Sequence, residues 1–191
     1  MIKNVSVKWL KKHDACDKAV ERFKNQKVTE PTRLLRLMIR SKNRDILEWA
    51  NWLIVRVMNK KQKVQYAVFA AELVLQNFES KFPNDNRPKM AIEAAKRYLK
   101  NQTQKNKTAA RSAAESAARS ADSADSAESA DSAESAAWSA DSAAWSAGSA
   151  WNATWSAARS AAESADSAAW STGSHNKTLI QILRYGVELL K

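Results

Sequence analysis

Through residues 14–99, apolar positions recur at spacings of three and four, and each run ends at a polar or proline-bearing break. That is the period of amphipathic helices packed into a bundle. Asp14 has the character of a helix N-cap, with Asp17 three residues on in a weaker relative of the capping box, and Cys16, Ala19, Val20 and Phe23 follow at helical spacing. Thr29-Glu30-Pro31 opens a second helix, with proline in a first turn where its missing N–H costs nothing, ahead of Leu34, Leu35, Leu37, Met38 and Ile39. From Asn43, the segment NRDILEWANWLIVRVM places Ile46, Trp49, Ala50, Leu53, Ile54 and Val57 on one stripe, and a helix this apolar packs on both sides. The fourth helix carries the longest face: Val64, Ala67, Val68, Ala71, Leu75, Phe78 and Phe82. It stops at PNDNRP, residues 83–88, whose Pro88 suits the first turn of a fifth helix with Ile92, Ala95, Tyr98 and Leu99 facing inward. Residues 100–108 are polar throughout and read as a connection. Near the end of the chain, Leu179, Ile182, Leu183 and Leu190 mark another amphipathic helix, weakened by Gly186 in its interior. It needs a groove to lie in, which the bundle or the intervening repeat could provide.

The pattern changes at Ala109. To about Ser174 the chain is a low-complexity tract of alanine and serine interrupted by acidic residues, three arginines, tryptophans, two glycines and a few other small polar residues. Counting Asn152 in the series, the small polar position recurs in 18 steps over 62 residues, or about 3.4 residues per step. This is slightly shorter than the helical repeat of about 3.6, so the stripe drifts in the sense that favours a left-handed supercoil. Such small residues let two backbones approach closely. From Ser120 to Ser135 five successive steps of three carry the serines around nearly the whole helix surface. That stretch is either an exposed acidic α-helix or tightens in part to a 3₁₀-helix, where every third side chain eclipses.

A single helix over residues 109–174 would be about 100 Å long and would need cover along its length. Gly148 and the pair Thr172-Gly173 are its breakers, so a reversal near 148 and an end near 173 make it a helical hairpin. Trp138 and Trp145 are one heptad apart, Trp151 and Trp155 are four apart, and each pair can share a face. These four either pack against the bundle or a neighbouring repeat helix, where indoles supply most of an alanine-rich helix's burial, or form a partner-binding ridge.

Composition narrows the function more than it names it. Three Gly and three Pro in 191 residues are too few for the turns of a sandwich or a doubly wound sheet, so the expected fold is all-α. The expected organisation is a basic helical bundle over 1–108, an Ala/Ser/Trp-rich helical hairpin over 109–174, and a C-terminal amphipathic helix over 175–191 that docks back. The N-terminal residues lack the apolar core of a secretory signal and no run of about 18 apolar residues exists, which points to a soluble cytoplasmic protein without a membrane role. The lone Cys16 agrees with a reducing compartment. The net charge of +11 is uneven: residues 1–108 hold 25 Lys and Arg against 10 Asp and Glu, whereas 109–174 hold 3 against 9. A polyanionic partner would therefore dock on the bundle. Lys8-Trp9 and Arg97-Tyr98 interleave charge with aromatics, but the acidic tract would repel a phosphate backbone.

Catalytic chemistry is missing from the pattern. There is no glycine-rich phosphate loop, no close cysteine pair and no HExxH; no serine sits in a nucleophile elbow, and the carboxylates of the tract are spaced as solubilising groups. His13 and Cys16, three residues apart, are two ligands at most and do not make a zinc site. The expectation is a protein without catalytic residues, metal or cofactor.

Residues 50–101 supply a sharper signal. NWLIVR at 51–56, YAVFAAE at 66–72, PNDNRP followed by AIEAAK, and an alanine-rich repeat directly after a short polar spacer resemble the immunity proteins of bacterial polymorphic toxin systems, also met in phage-related gene sets. CDKAVERF and the closing ILRYGVELL fit as well. The resemblance implies a mostly α-helical protein without catalytic residues, which binds a cognate toxin or defence effector and occludes it. The tract departs from that pattern, with serine where more alanine and tyrosine would be expected, and this leaves the partner's identity open. Two other readings stand beside it: a nucleic-acid-associated protein using the basic bundle, and a structural helical protein of phage origin whose repeat sets a length.

Overall fold

A computed structural model describes residues 2–125, 138, 140, 142 and 175–191. Among these residues the fold is all-α, as the scarcity of turn residues requires, with no strand. The helices are α1 (Val7–Lys12), α2 (Asp17–Lys24), α3 (Pro31–Ser41), α4 (Arg44–Val57), α5 (Lys60–Glu79), α6 (Arg87–Lys100), α7 (Gln104–Asp125) and α8 (His175–Leu189).

The caps explain where most of them start. Glu30 accepts from the N–H groups of Thr32 and Arg33 at 2.8 and 2.6 Å, with Pro31 behind it in the first turn of α3. Asn43 accepts from Ile46 N–H at the head of α4, and Asn59 with Gln62 closes a full capping box at the head of α5. Two starts differ from the sequence reading. α1 is an additional helix, capped by the Ser6 side chain and held by buried Val5 and Leu10, which is too short to show a period. Asp14 does not cap α2: it takes the left-handed conformation at φ 59°, its N–H donating to Lys11 O, and so ends α1, while Cys16 precedes α2 without a side-chain cap bond. A short polar side chain tolerates that backbone where a branched one would not.

α4 packs against both α3 and α8. Leu47, Ala50, Ile54 and Val55 are fully buried, so the helix carries burial beyond its single stripe. α5 buries Val64, Ala67, Val68, Ala71 and Phe78 of the face its period marks, and Tyr66, Ala70 and Val74 besides, while Leu75 is half-buried and Phe82, also half-buried, falls past the end of the helix. α8 lies on α3, α4 and α5, which answers whether the bundle offers it a groove. Leu179, Ile182, Leu183 and Val187 fill that groove. Asn176 Nδ2 donates to Lys42 O at 3.2 Å at one end, the Gln62 side chain donates to Leu189 O at the other, and Tyr185 stacks on Phe69 with centroids 4.0 Å apart.

The polar connection is shorter than residues 100–108, because α7 already begins at Gln104. Three residues join α6 to α7, and the two pack as an antiparallel pair. α6 buries Ala91, Ala94 and Ala95, and α7 buries Ala110, Ala114 and Ala117. The hairpin reversal near 148 and all but one end of the period-three run lie outside the described residues; at that end, Gln104–Asp125 is α-helical.

Candidate functional site

The side of α4 that faces away from α8 carries Trp49, Trp52 and Arg56. Trp49 and Trp52 are only half-buried and form the wall between two concavities. The first, about 130 Å³, lies between α2, α3 and α4 and is lined by Phe23, Leu34, Leu37, Met38 and Leu53, with Arg22 and Gln26 beside them. Leu37 is 39% exposed; with Met90 it is one of two large apolar side chains left to solvent among the described residues, and it marks the mouth of this groove. The second, about 320 Å³, lies between α4 and the α1–α2 turn, walled by Asp14, Cys16, Glu48 and the buried Asn51.

Below Trp52 the aromatic wall meets a concentration of positive charge. Trp9 of α1 sets its ring edge-on to Trp52 at 6.2 Å and lies 4.3 Å from the His13 ring. Arg56 stacks over Trp52 at 4.0 Å, a cation–π contact, while its Nη1 donates to Trp52 O at 3.0 Å. Burial lowers the Arg56 pKa to about 10, opposed by the Asp14 charge. Burial also lowers His13, reinforced by Arg56 and Lys12. Lys63, in the first turn of α5, is 1% exposed, and burial with Arg56 and Lys60 nearby pushes it down to about 8. Tyr66 donates to Asn51 Oδ1 at 2.8 Å on the adjoining buried side.

The lowered Lys63 pKa has a measurable sign. The unfolded chain keeps this proton to about pH 10.5, whereas the folded chain releases it near 8. Between those values the unfolded state binds more protons, so stability rises with pH. Denaturant unfolding at pH 8 and pH 9.5 is expected to show a gain of about 2 kcal/mol, from roughly 1.4 kcal/mol per pH unit over that interval. Lys63→Met should remove the rise; the same rise in that variant would assign it to another group. Tyr98 and Tyr185, whose pKa values burial raises, act in the opposite sense at higher pH.

Of the four tryptophans that spacing singles out, Trp138 is described: it is helical, half-buried and packed against the hydrophobic core, with Ala140 and Ser142 buried beside it in sequence. Trp145, Trp151 and Trp155 lie outside the described residues. The two basic–aromatic pairs are far apart in use. Trp9 turns inward onto Trp52 and His13, and Tyr98 is half-buried while Arg97 pairs with Glu93 at 3.8 Å. Cys16 is exposed and His13 stacks on Trp9, and among the described residues no group of His, Cys, Asp and Glu could hold a metal ion. No described helix is long and apolar enough to cross a membrane.

Sequence reasoning misses the Trp9–Trp52–Arg56 constellation. Its one visible signal is the i,i+4 spacing of Trp52 and Arg56, which puts a cation and an indole on the same helix face. In comparison with known proteins, the family model described as Imm-5 like putative immunity protein matches residues 54–168. No curated protein and no solved structure matches. The matched segment begins inside α4 and takes in α5, α6 and α7, so Arg56 and Lys63 lie within it and Trp9, His13, Trp49 and Trp52 outside it.

Proposed function

Because the chain belongs to the Imm-5 like putative immunity protein family, we propose that it is a non-enzymatic antagonist that binds a cognate toxin or defence effector and covers its active surface. The family match, over more than half of the chain, carries this reading, since membership suggests an immunity-type role and a protein partner. The groove between α2, α3 and α4 supports it. This open apolar slot sits on the part of the chain with 25 Lys and Arg against 10 Asp and Glu, and so suits an acidic partner surface that offers one apolar side chain. Trp145, Trp151 and Trp155 are proposed as a second contact region. The packing of Trp138 against the core favours a role for that residue in holding the tract to the bundle.

Co-expression of the full chain with the toxin encoded beside its gene tests the proposal. Protection and direct binding are expected from the wild-type chain, and their joint failure would sink it. Leu37→Glu places a charge at the groove mouth on a side chain already 39% exposed, so the melting temperature should hold while protection falls at least about tenfold. Undiminished protection would move the interface off the groove.

The net +15 of residues 1–108 keeps a nucleic-acid reading as the second choice. The inward turn of Trp9 and the half-burial of Tyr98 leave neither ring presented for base stacking. Duplex or single-stranded binding by the full chain, weakened steeply by salt, would favour it over toxin occlusion.

A further inference from the structure

We infer that the groove between α2, α3 and α4 receives an acidic amphipathic helix of a protein partner, with one apolar side chain in the slot and carboxylates one turn away on the arginines of α3. This rests on the protein-binding reading above and specifies the partner segment which that reading leaves open. The slot decides the size of the anchor. Its floor is buried Leu34, Ile46 and Leu53, its walls are half-buried Phe23, Met38 and Trp49, and it opens to solvent past exposed Leu37. Its volume of about 130 Å³ is close to the roughly 150 Å³ of an apolar cavity that takes a benzene ring, so one side chain the size of leucine or phenylalanine fills it.

The charge around the mouth is one-sided. The outer face of α3 presents Arg33, Arg36 and Arg40 around Leu37, all exposed, and the helix has no carboxylate of its own. Across the slot α2 adds exposed Arg22, which lines it, and Lys18 one turn earlier. Among the described residues the side chains of Arg22, Arg33 and Arg40 make no ion pair, whereas the neighbouring carboxylates are engaged. Glu21 pairs with Lys24 and Glu48 with Arg44, and Glu30 accepts the N–H groups at the head of α3, with Arg36 in its field. Asp17 and Asp45 sit in the first turns of α2 and α4, where the helix dipole favours them.

Spacing sets the form of the partner. Arg33 and Arg40 are separated by about 10 Å along α3 at about 1.5 Å per residue, with Leu37 four positions from one and three from the other. A helix laid beside α3 has the same rise, so an apolar residue over the slot brings carboxylates three and four positions away opposite the two arginines. A phosphate backbone offers no apolar side chain to the slot. A second copy of this chain, at net charge +11, would meet the arginines with its own positive surplus.

The test uses the full chain labelled in its methionine methyl groups. Met38 walls the slot, while Met90, exposed on α6, and Met58, buried just after α4, serve as internal controls. Met38→Leu, a volume-conserving change, identifies the reporting signal by its loss. The probe is an alanine-based helical peptide with one Leu and with Glu three and four residues to either side of it. It should shift Met38 saturably and leave Met58 and Met90 in place. Replacing its Glu by Gln, or turning them to the opposite helix face, should weaken binding about fivefold or more, as two exposed ion pairs allow, and replacing its Leu by Ala should abolish saturation. Arg33→Gln combined with Arg40→Gln should weaken the Glu peptide by the same factor and leave the Gln peptide unchanged. Should that variant not fold, the peptide series on the wild-type chain decides alone. No saturable Met38 shift, equal affinity for the Glu and Gln peptides, or a short DNA duplex that moves Met38 at lower concentration than the peptide overturns the inference. If the peptide binds but the wild-type chain protects against no toxin, the groove stands and the immunity reading fails. If the chain protects, the double arginine variant protects equally and the peptide leaves Met38 unmoved, the groove fails alone.

Discussion

Gly186→Val is expected to lower the stability of the bundle by about 3 kcal/mol or more, at the upper end of the range for overpacking a well-filled core. Gly186 lies in the interior of α8, where a glycine by itself weakens the helix by up to about 1 kcal/mol relative to alanine. Helix propensity alone therefore argues for replacing it. Space argues the other way and wins. A Cβ at this position would sit 2.6 Å from Ile54 Cδ1 and 2.7 and 2.8 Å from Tyr66 Cε2 and Cδ2. The Ile54 methyl is the far end of a flexible chain and could move. The Tyr66 ring is fully buried and its hydroxyl is anchored on Asn51 Oδ1, so yielding there means moving a ring and a buried hydrogen bond together. Gly186→Ala should cost about 1–2 kcal/mol after its propensity gain, and valine more, because its extra methyls meet the same wall. For a domain of this size each kcal/mol corresponds to roughly 2–4 °C of melting temperature, so the valine variant should melt some 6–12 °C below wild type by circular dichroism. Ile54→Val combined with Gly186→Ala should recover part of the loss and no more, because Tyr66 remains. An alanine variant that melts higher than wild type would mean that α8 is seated loosely.

Gly186 also shows where sequence reading runs out. The period marks it as a weak point of an amphipathic helix, and that remains true of the helix in isolation. What requires it is the ring of Tyr66 in another element, which no local pattern contains. The same division runs through the fold. α3, α4 and α5 were legible from their apolar stripes, and α3 also from Glu30-Pro31 ahead of its stripe; in the structure Glu30, Asn43 and Asn59 accept from backbone N–H groups at these three starts. α1 escaped because six residues with one buried side chain cannot display a period. The apolar face of α8 announced that it needed a groove but could not say whether α3, α4 and α5 or the repeat supplied it.

The candidate site was less legible for a related reason. Lys63 belongs to KKQK, which reads as a solvated helix start, yet it is buried because α5 sets its first turn beside α4. Trp52 and Arg56 fall off the stripe through Ile46, Ala50 and Leu53, so periodicity assigns them to the surface; Trp9 and His13, which make them part of a cluster, come from the helix that the sequence hid. Surface ion pairs such as Arg44–Glu48, four residues apart and 2.9 Å between charges, are exposed, contribute about 0–1 kcal/mol and place nothing.

The second large effect is expected at the alanine seam between α6 and α7. Ala91, Ala94 and Ala95 on one helix and Ala110, Ala114 and Ala117 on the other are all 0–1% exposed, and the two helices pack along their length. Side chains that stop at Cβ let the axes approach at the near end of the usual 8–10 Å range. Ala114→Leu puts three further carbons into that seam. The neighbours cannot absorb them by changing rotamer, because alanine has no side-chain torsion that moves a heavy atom, so the axes themselves must separate. The expected loss is about 3 kcal/mol by denaturant unfolding, with amide exchange in α6 and α7 accelerating before that in α3, α4 and α8. Ala109→Leu, at an exposed position one turn earlier on the same helix, should stay within about 0.5 kcal/mol of wild type and so separates crowding from any general effect of leucine. Equal stability of Ala114→Leu and wild type would refute close approach of the two backbones. Because α7 is the described start of the small-residue tract, that result would also remove the best reason to treat the tract's serine and alanine stripe as a packing surface.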